Sequence, residues 1–320
     1  MQKNIFLSVL TMLSVGTVLI QPAMGVEAIE ILCPFTAGSS SDLMSRLIAD
    51  IAPKYLGQIM VVVNKPGAGG SIAAAEVISS KPGSKLFNIS QFFIATTIKT
   101  QKVPFSPDDL VPLASFMEYK DGLIVRGDSP WKTLNDLLDY GRRNPGKLKW
   151  AHSGRGITSH MGTLLIFRKA GVETIDVPYK GSPEKLAALL GGHVDVSAMV
   201  YGSVRDHVKA GKVRYLTFLS DQRYSDPPDV PCAAELGFSE AAKLVAVLGM
   251  YAHRDTPEKL KQALIDAFKK TCAEPEFKKG IERLGEELRC GGPESIREAI
   301  KKAEEVGIPI IKELGLYVEK

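Results

Sequence analysis

The sequence lacks the short motifs that mark common enzymes and metalloproteins. Its four cysteines, Cys33, Cys232, Cys272 and Cys290, form no C-x-x-C pair, which excludes the usual zinc and thioredoxin-like patterns. It has no H-E-x-x-H motif and no G-x-S-x-G turn, the signatures of zinc proteases and many hydrolases. We therefore predict a protein that is not an enzyme and that needs no cofactor or metal. A Ser-His-Asp set assembled from distant positions stays open, because such triads meet only in the fold.

Runs of one charge sign and long apolar segments are also scarce. The 40 basic and 36 acidic residues are interleaved and leave a net charge of +4, so nothing indicates a nucleic-acid surface. Hydrophobic residues make up 45% and charged residues 24% of the chain, as in ordinary globular proteins. After residue 25, no apolar run reaches the roughly 18 residues of a membrane helix.

The N-terminus has the pattern of an export signal. Lys3 precedes an apolar stretch at residues 5–20, and small residues follow around Ala23 and Gly25. This order is typical of a signal peptide cleaved near Gly25, which predicts a soluble periplasmic protein; an uncleaved membrane anchor is the alternative. Cys33 lies too far beyond the cleavage site to be a lipidated first residue.

Strand-like and helix-like segments alternate along the chain, which predicts an α/β fold with mostly parallel sheets. The eight strand-like runs are 29–33, 59–63, 87–90, 123–125, 148–151, 175–177, 194–199 and 215–219. Helix starts are visible at Thr133, in a T-x-x-D pattern, and at Ser182, before a proline. The chain length favours two lobes: residues 26–125 plus 226–320 form lobe I, residues 126–225 form lobe II, and hinges lie near 125 and 225.

Two strand-to-helix turns are candidate anion sites because free backbone N–H groups at a helix N-terminus favour negative charge. The first turn supplies the candidate ligand-binding residues Phe35, Thr36, Ala37, Gly38, Ser39, Ser40 and Asp42. The second supplies Ser153, Arg155, Gly156, Thr158, Ser159 and His160. Each pattern has a structural alternative: Ser39 and Asp42 form an S-x-x-D cap, and Arg155 is either a bidentate clamp or a solvated loop cation.

Two further features are predicted to be structural. The glycine-rich segment 64–71 lacks the spacing of a Walker loop or a dinucleotide fingerprint, so we interpret it as a turn. Cys272 and Cys290 lie at the ends of neighbouring predicted elements, which allows a disulfide in an oxidising compartment; the alternative is four buried free thiols.

An ordered series of motifs resembles the substrate-binding proteins of tripartite tricarboxylate transporters, also called Bug receptors. The series is P-F-x-A-G-S-x-x-D at 34–42, N-K-P-G-A-G-G at 64–70, V-P-Y-K-G-S at 177–182, L-G-G-H-V-D at 190–195 and A-G-K-V-R at 210–214. The resemblance implies a periplasmic-binding-protein fold, in which two hinged α/β lobes hold a small carboxylate between loops 35–42 and 153–160. It also implies a monomer that delivers its ligand to membrane transporter subunits; a sensor accessory or a secreted hydrolase is the alternative.

The sequence departs from the family pattern at positions near the implied ligand. These are the segment 88–93, which contains the candidate Gln91, the segment 199–202, which contains the candidate Tyr201, and Arg155. The departures are more apolar or more basic than the family pattern, so we expect a carboxylate other than plain citrate.

Overall fold

The computed structural model describes residues 28–319, so the predicted signal peptide lies outside the described residues. Within residues 28–319, no helix is both long and apolar enough to cross a membrane. The strands are β1 (Ile29–Cys33), β2 (Met60–Asn64), β3 (Lys85–Ser90), β4 (Leu110–Glu118), β5 (Asp121–Arg126), β6 (Leu148–His152), β7 (Thr174–Pro178), β8 (Val196–Val200), β9 (Val213–Phe218), β10 (Val247–His253) and β11 (Glu287–Gly291).

Helices connect most of these strands. They are α1 (Ser40–Ile51), α2 (Pro53–Leu56), α3 (Ser71–Ser79), α4 (Gln91–Ala95), α5 (Leu134–Arg143), α6 (Thr158–Lys169), α7 (Ser182–Leu190), α8 (Arg205–Lys209), α9 (Ser239–Ala242), α10 (Glu258–Ala273), α11 (Pro275–Leu284) and α12 (Pro293–Glu313). Thr133 caps α5 in a full capping box with Asp136, as predicted. Ser182 was predicted to be a cap, which is wrong: Gly181 is the cap and Ser182 is the first helical residue.

The strands form two separate sheets, which confirms the predicted architecture of two α/β lobes. The first sheet has the order β11-β4-β10-β3-β1-β2, and the second has the order β7-β6-β8-β5-β9. The chain passes from the first sheet to the second at residues 119 and 120 and returns between β9 and β10. The first crossover thus precedes the predicted boundary at 125, whereas the second includes the predicted boundary at 225.

The prediction of mostly parallel sheets is wrong, because both sheets are mixed. Strand β1 pairs parallel with β2 and β3, and β6 pairs parallel with β7 and β8. The strands that follow the crossovers, β5 and β10, pair antiparallel with their neighbours. Because β5 and β10 come from the other lobe, each begins at the edge of its sheet that faces the cleft. Each therefore runs antiparallel to the neighbouring strands that end at that edge. Strand β4, which sequence analysis did not predict, contains Pro112 beside a register shift against β10, a tolerated place for proline in a sheet.

The last helix joins the two lobes. Helix α12 packs on α4 and β4 of the first lobe, and its C-terminal residues Ile310, Ile311 and Leu314 belong to the core around Trp150 of the second lobe. Arg168 of the second lobe donates hydrogen bonds to the carbonyls of Glu313 and Leu314, at 3.1 and 3.0 Å. A disulfide links Cys272 of α10 to Cys290 of β11, while Cys33 and Cys232 are buried free thiols.

Candidate functional site

A cavity lies between the two sheets, where the N-termini of three helices meet. Helices α1, α6 and α7 each place their first residues on its wall, α1 from the first lobe and the other two from the second. The wall also includes hydroxyl groups and a few apolar side chains from both lobes. Its residues are Phe35, Ser39, Ser40, Ser41, Gly69, Ile89, Ser90, Phe93, Thr97, Tyr119, Asp121, Ser153, Ile157, Thr158, Ser159, Ser182, Lys185, Val200 and Ser203.

The predicted turn 35–42 divides into residues that line the cavity and residues that hold the turn. Phe35, Ser39 and Ser40 are on the wall. Asp42 is buried and accepts hydrogen bonds from the Gly38 N–H at 2.9 Å and from the side chain of Arg46. Burial alone would raise the pKa of Asp42, but these bonds outweigh it and lower the pKa. The carboxylate is therefore ionised and fixes the shape of the turn.

The remaining residues of this turn lie at the rim between the lobes. Ala37 and Gly38 are exposed. Thr36 lies against Gly181 of the second lobe, so close that a Cβ atom on Gly181 would collide with the Thr36 hydroxyl. The hydroxyl of Thr36 is buried and has no hydrogen-bond partner among the described residues. This rim contact shows that the two lobes are close together.

The predicted turn 153–160 also divides. Ser153, Thr158 and Ser159 line the cavity. Helix α6 begins without a side-chain cap, and within residues 28–319 no hydrogen bond takes up the backbone N–H of Thr158 or Ser159. Free N–H groups at this end of a helix bind anions. Both turns therefore bring helix N-termini to one cavity.

Arg155 and Gly156 of the same turn face elsewhere. The Arg155 side chain is 67% exposed and reaches Asp176 at 3.4 Å, outside the cavity wall. The Gly156 carbonyl accepts hydrogen bonds from Thr96 and Thr97 of the first lobe, at 3.3 and 3.1 Å. Gly156 thus contributes to contact between the lobes.

His160 is a buried ring behind the turn. It stacks on Trp150 with ring centroids 5.5 Å apart, and its Nδ1 accepts from the Gly156 N–H at 3.4 Å. Burial lowers the pKa of His160 to about 3, so the ring is neutral at ordinary pH. Its neutrality suits a position at the positive end of α6.

His152, His160 and Asp176 form a cluster whose potential metal-ligand atoms lie within 4.8 Å of one another. The Gly154 N–H donates to Nδ1 of His152 at 3.1 Å, and Nε2 of His152 is 3.0 Å from Asp176. This pattern places the ring proton on Nε2, where it is donated to the carboxylate. A metal-bound histidine instead donates a proton from its other nitrogen, so the cluster fits a hydrogen-bonded support for the turn better than a metal centre.

Gln91 and Tyr201, the candidates from the two segments that depart from the family pattern, lie outside the cavity wall. The side-chain amide of Gln91 bonds to the carbonyl of Val245 at 2.9 Å and to the N–H of Val247 at 2.8 Å, and so holds the returning crossover. Tyr201 is 1% exposed and packs against Phe218, with its hydroxyl 3.2 Å from Asp226. Both side chains bind parts of the chain next to the crossovers.

Sequence analysis missed the two buried charged residues of the wall, Asp121 and Lys185. Burial raises the pKa of Asp121 to about 6, opposed by Lys185 and by a hydrogen bond from Thr158. Burial lowers the pKa of Lys185 to about 8, opposed by Asp121. Lys185 lies one helical turn after Ser182, the predicted helix start, so its position near the helix N-terminus could have been found from the sequence. No sequence pattern around Asp121 distinguished that residue.

Glu286, just before β11, joins the lobes behind the cavity. Its carboxylate accepts from the N–H groups of Lys120 and Gly202, at 2.8 and 2.6 Å, and from the Ser40 hydroxyl at 3.1 Å. Ser40 also bonds to Ser203 of the second lobe at 3.1 Å. Burial raises the pKa of Glu286 to about 7 despite these three donors. The carboxylate therefore connects strands and turns of both lobes.

The glycine-rich segment 64–71, predicted to be a turn, contributes to closure at the cavity mouth. Gly69 lines the cavity, and a Cβ atom on Gly154 of the second lobe would come within 2.8 Å of the Gly69 Cα atom. The backbones of the two lobes therefore touch where only glycine fits. The two lobes are therefore in contact at the cavity mouth in this structure.

Comparisons with known proteins agree with this architecture. Residues 44–316 match the model of the tripartite tricarboxylate transporter family receptor. A protein in the gbd 5′ region of Cupriavidus necator is 32% identical over 289 residues, which cover 90% of this chain and 88% of that protein.

Solved structures give the same picture. The periplasmic binding protein BugD is similar with a TM-score of 0.85 and 26% identity, over 91% of this chain and 99% of BugD. MatC from Rhodopseudomonas palustris, solved with bound malate, is similar with a TM-score of 0.79 and 28% identity, over 88% of this chain and 99% of MatC. The resemblance found in the motif series is confirmed: this chain belongs to the family of tripartite tricarboxylate transporter receptors.

Proposed function

We propose that the protein is an exported solute receptor that holds a small organic carboxylate between its lobes and delivers it to the membrane subunits of a tripartite transporter. The observation that carries the proposal is the convergence of the N-termini of α1, α6 and α7 on one cavity. The partial positive charge of a helix N-terminus and its free N–H groups favour an anion. The hydroxyls of the wall add further donors.

Relatives support a carboxylate ligand. MatC was solved with malate, and a second Rhodopseudomonas palustris protein, 25% identical with a TM-score of 0.83, was solved with adipate. Both are dicarboxylates, and each would offer one anionic group to each lobe. Export rests on the signal-peptide pattern in residues 1–25, and delivery to a transporter rests on the family to which the chain belongs.

A hydrolase is the less favoured function. The cavity wall contains no histidine among the described residues. Ser182 and Lys185 have the S-x-x-K spacing of some serine enzymes, but the Lys185 ammonium donates to the Ala198 carbonyl instead of the serine hydroxyl. A nucleophile needs a base within hydrogen-bond reach, and this pair does not provide one. A role in presenting ligand to a sensor would use the same cleft and the same binding step.

A thermal-unfolding screen of the mature protein against mono-, di- and tricarboxylates tests the proposal. A ligand at one hundred times its dissociation constant adds about 2.7 kcal/mol of stability, so binding raises the melting temperature by several degrees. The ligand should be recovered unchanged after incubation. Failure of every carboxylate to stabilise folded protein would refute the proposed function.

A further inference from the structure

Two opposite charges are buried together in the second-lobe wall of the cavity. Asp121, the first residue of β5, is 5% exposed, and Lys185, in the first turn of α7, is 2% exposed. Both line the cavity. Buried charges are costly unless they are paired and hydrogen-bonded, so the partners of these two groups are informative.

Neither group has all the partners that it needs. One oxygen of Asp121, Oδ2, accepts from the Thr158 hydroxyl at 3.1 Å, whereas its Oδ1 is buried without a hydrogen-bond partner among residues 28–319. The Lys185 ammonium has three protons, and its one hydrogen bond in the described part of the chain goes to the Ala198 carbonyl. No salt bridge joins the two charges; they affect one another through space. A ligand in the cavity would supply the hydrogen-bond partners that Asp121 and Lys185 lack.

We propose that Asp121 and Lys185 select an amino-substituted carboxylic acid: Lys185 donates to a ligand carboxylate, and Asp121 accepts from the ligand amino group. This rests on the proposed function, because it concerns the ligand of the same cavity. The helix N-termini of α1 and α6 take the remaining negative charge.

Charge balance favours an amino group over a hydroxyl group. Once the Lys185 ammonium is paired with a ligand carboxylate, Asp121 is left as a buried anion without a cation. A ligand ammonium supplies that cation and bonds to the free Oδ1, and hydrogen bonds between charged groups are stronger than neutral ones. A hydroxyl supplies only the hydrogen bond, and a methylene group supplies neither.

Titration calorimetry with three matched acids tests the inference. Aspartate, malate and succinate share a four-carbon dicarboxylate frame and differ at one carbon, which carries an amino group, a hydroxyl group or hydrogen. Glutamate, 2-hydroxyglutarate and glutarate, and alanine, lactate and propionate, repeat the comparison at other lengths. Within each set that binds, we expect the amino acid to bind about tenfold to a hundredfold more tightly than the unsubstituted acid, with the hydroxy acid between them.

Variants assign the effect to the two residues. In Asp121→Asn the ratio of affinities for the amino and unsubstituted acids should fall at least about tenfold, whereas the exposed control Asp206→Asn keeps it. In Lys185→Met the affinity for every acid in the set should fall about tenfold or more, whereas the exposed control Lys149→Met does not change it. Circular dichroism verifies that the variants are folded. The comparison of acids on the wild-type protein tests the inference even if a variant does not fold.

The outcomes separate this inference from the proposed function. If carboxylates bind but the unsubstituted acid binds as tightly as the amino acid, the selection by Asp121 is refuted and the receptor function stands. An unchanged affinity ratio in folded Asp121→Asn also refutes it. If none of these acids binds but another carboxylate stabilises the folded protein in the thermal screen, this inference is refuted and the receptor function stands. If no carboxylate of the thermal screen binds, the proposed function fails, and this inference fails with it.

Discussion

Replacing Glu286 by glutamine should remove a loss of folding stability that the wild-type protein shows as pH rises. The pKa of Glu286 is raised from 4.5 to about 7 because the side chain is buried. The folded protein therefore holds this proton more tightly than the unfolded chain does. Stability from this group is fully present below about pH 4.5 and is lost as pH rises through about 7.

The size of the effect follows from the two pKa values. The difference between 4.5 and about 7 corresponds to about 3 kcal/mol, since each tenfold change in proton affinity is worth about 1.4 kcal/mol. Glutamine has nearly the same size and does not titrate. The wild type should therefore lose about 3 kcal/mol of unfolding free energy relative to Glu286→Gln between about pH 4.5 and about pH 8.

Urea unfolding of both proteins across this pH range measures the difference directly. Asp121 and His160 also have shifted pKa values, but they are present in both proteins, so most of their contribution cancels. The exposed residue Glu298 provides a matched control, since Glu298→Gln should leave the pH profile unchanged. If the wild type instead gains stability over Glu286→Gln as pH rises, the donors from Lys120, Gly202 and Ser40 outweigh burial, and the reasoning is refuted.

Three further predictions follow from the lobes and their contacts. Replacing Cys272 and Cys290 by serine should cost about 3 kcal/mol of unfolding free energy, because the disulfide closes a loop with a sequence separation of 18 residues; urea unfolding measures this cost. Gly154→Ala should weaken ligand binding at least about tenfold, since the added Cβ atom would meet the opposite backbone at 2.8 Å; calorimetry measures the affinity. Arg155→Ala should change the dissociation constant by less than about threefold, because this side chain is 67% exposed.

Each of these predictions has its own check. Reducing agent should destabilise the wild type but not the serine variant, and equal responses would contradict a structural role for the bond. Gly146→Ala is the control for Gly154→Ala, because Gly146 also has a positive φ, of +69°, but nothing lies within 4 Å of an added Cβ atom. Equal binding by the two alanine variants would contradict close contact at the mouth. A large loss of affinity in Arg155→Ala would contradict the third prediction and would indicate that this side chain contacts the ligand.

Local patterns in the sequence determined the elements and the two turns. The alternation of strand and helix signals predicted eight strands that the structure contains, and the T-x-x-D pattern at Thr133 predicted a capping box that is present. Both turns were visible because glycine, serine and threonine at the start of a helix have the same physical meaning in any fold. These features depend on residues close together in the chain. In the first turn Ser39 caps α1 and the Ser40 N–H donates to Ser203, whereas the start of α6 has no side-chain cap.

The charged residues of the cleft depended on the tertiary structure. Asp121, Lys185 and Glu286 resemble ordinary surface residues in sequence, yet all three are buried in the folded protein. The two crossovers make both sheets mixed, since β5 and β10 enter from the opposite lobe.

The sequence alone therefore determined the fold class and the two turns that reach the cavity, whereas only the tertiary structure decided which charges share the cavity. The physical reason is that helix starts and turns are governed by short-range hydrogen bonding. Desolvation of a charge instead depends on segments distant in the chain that pack around it.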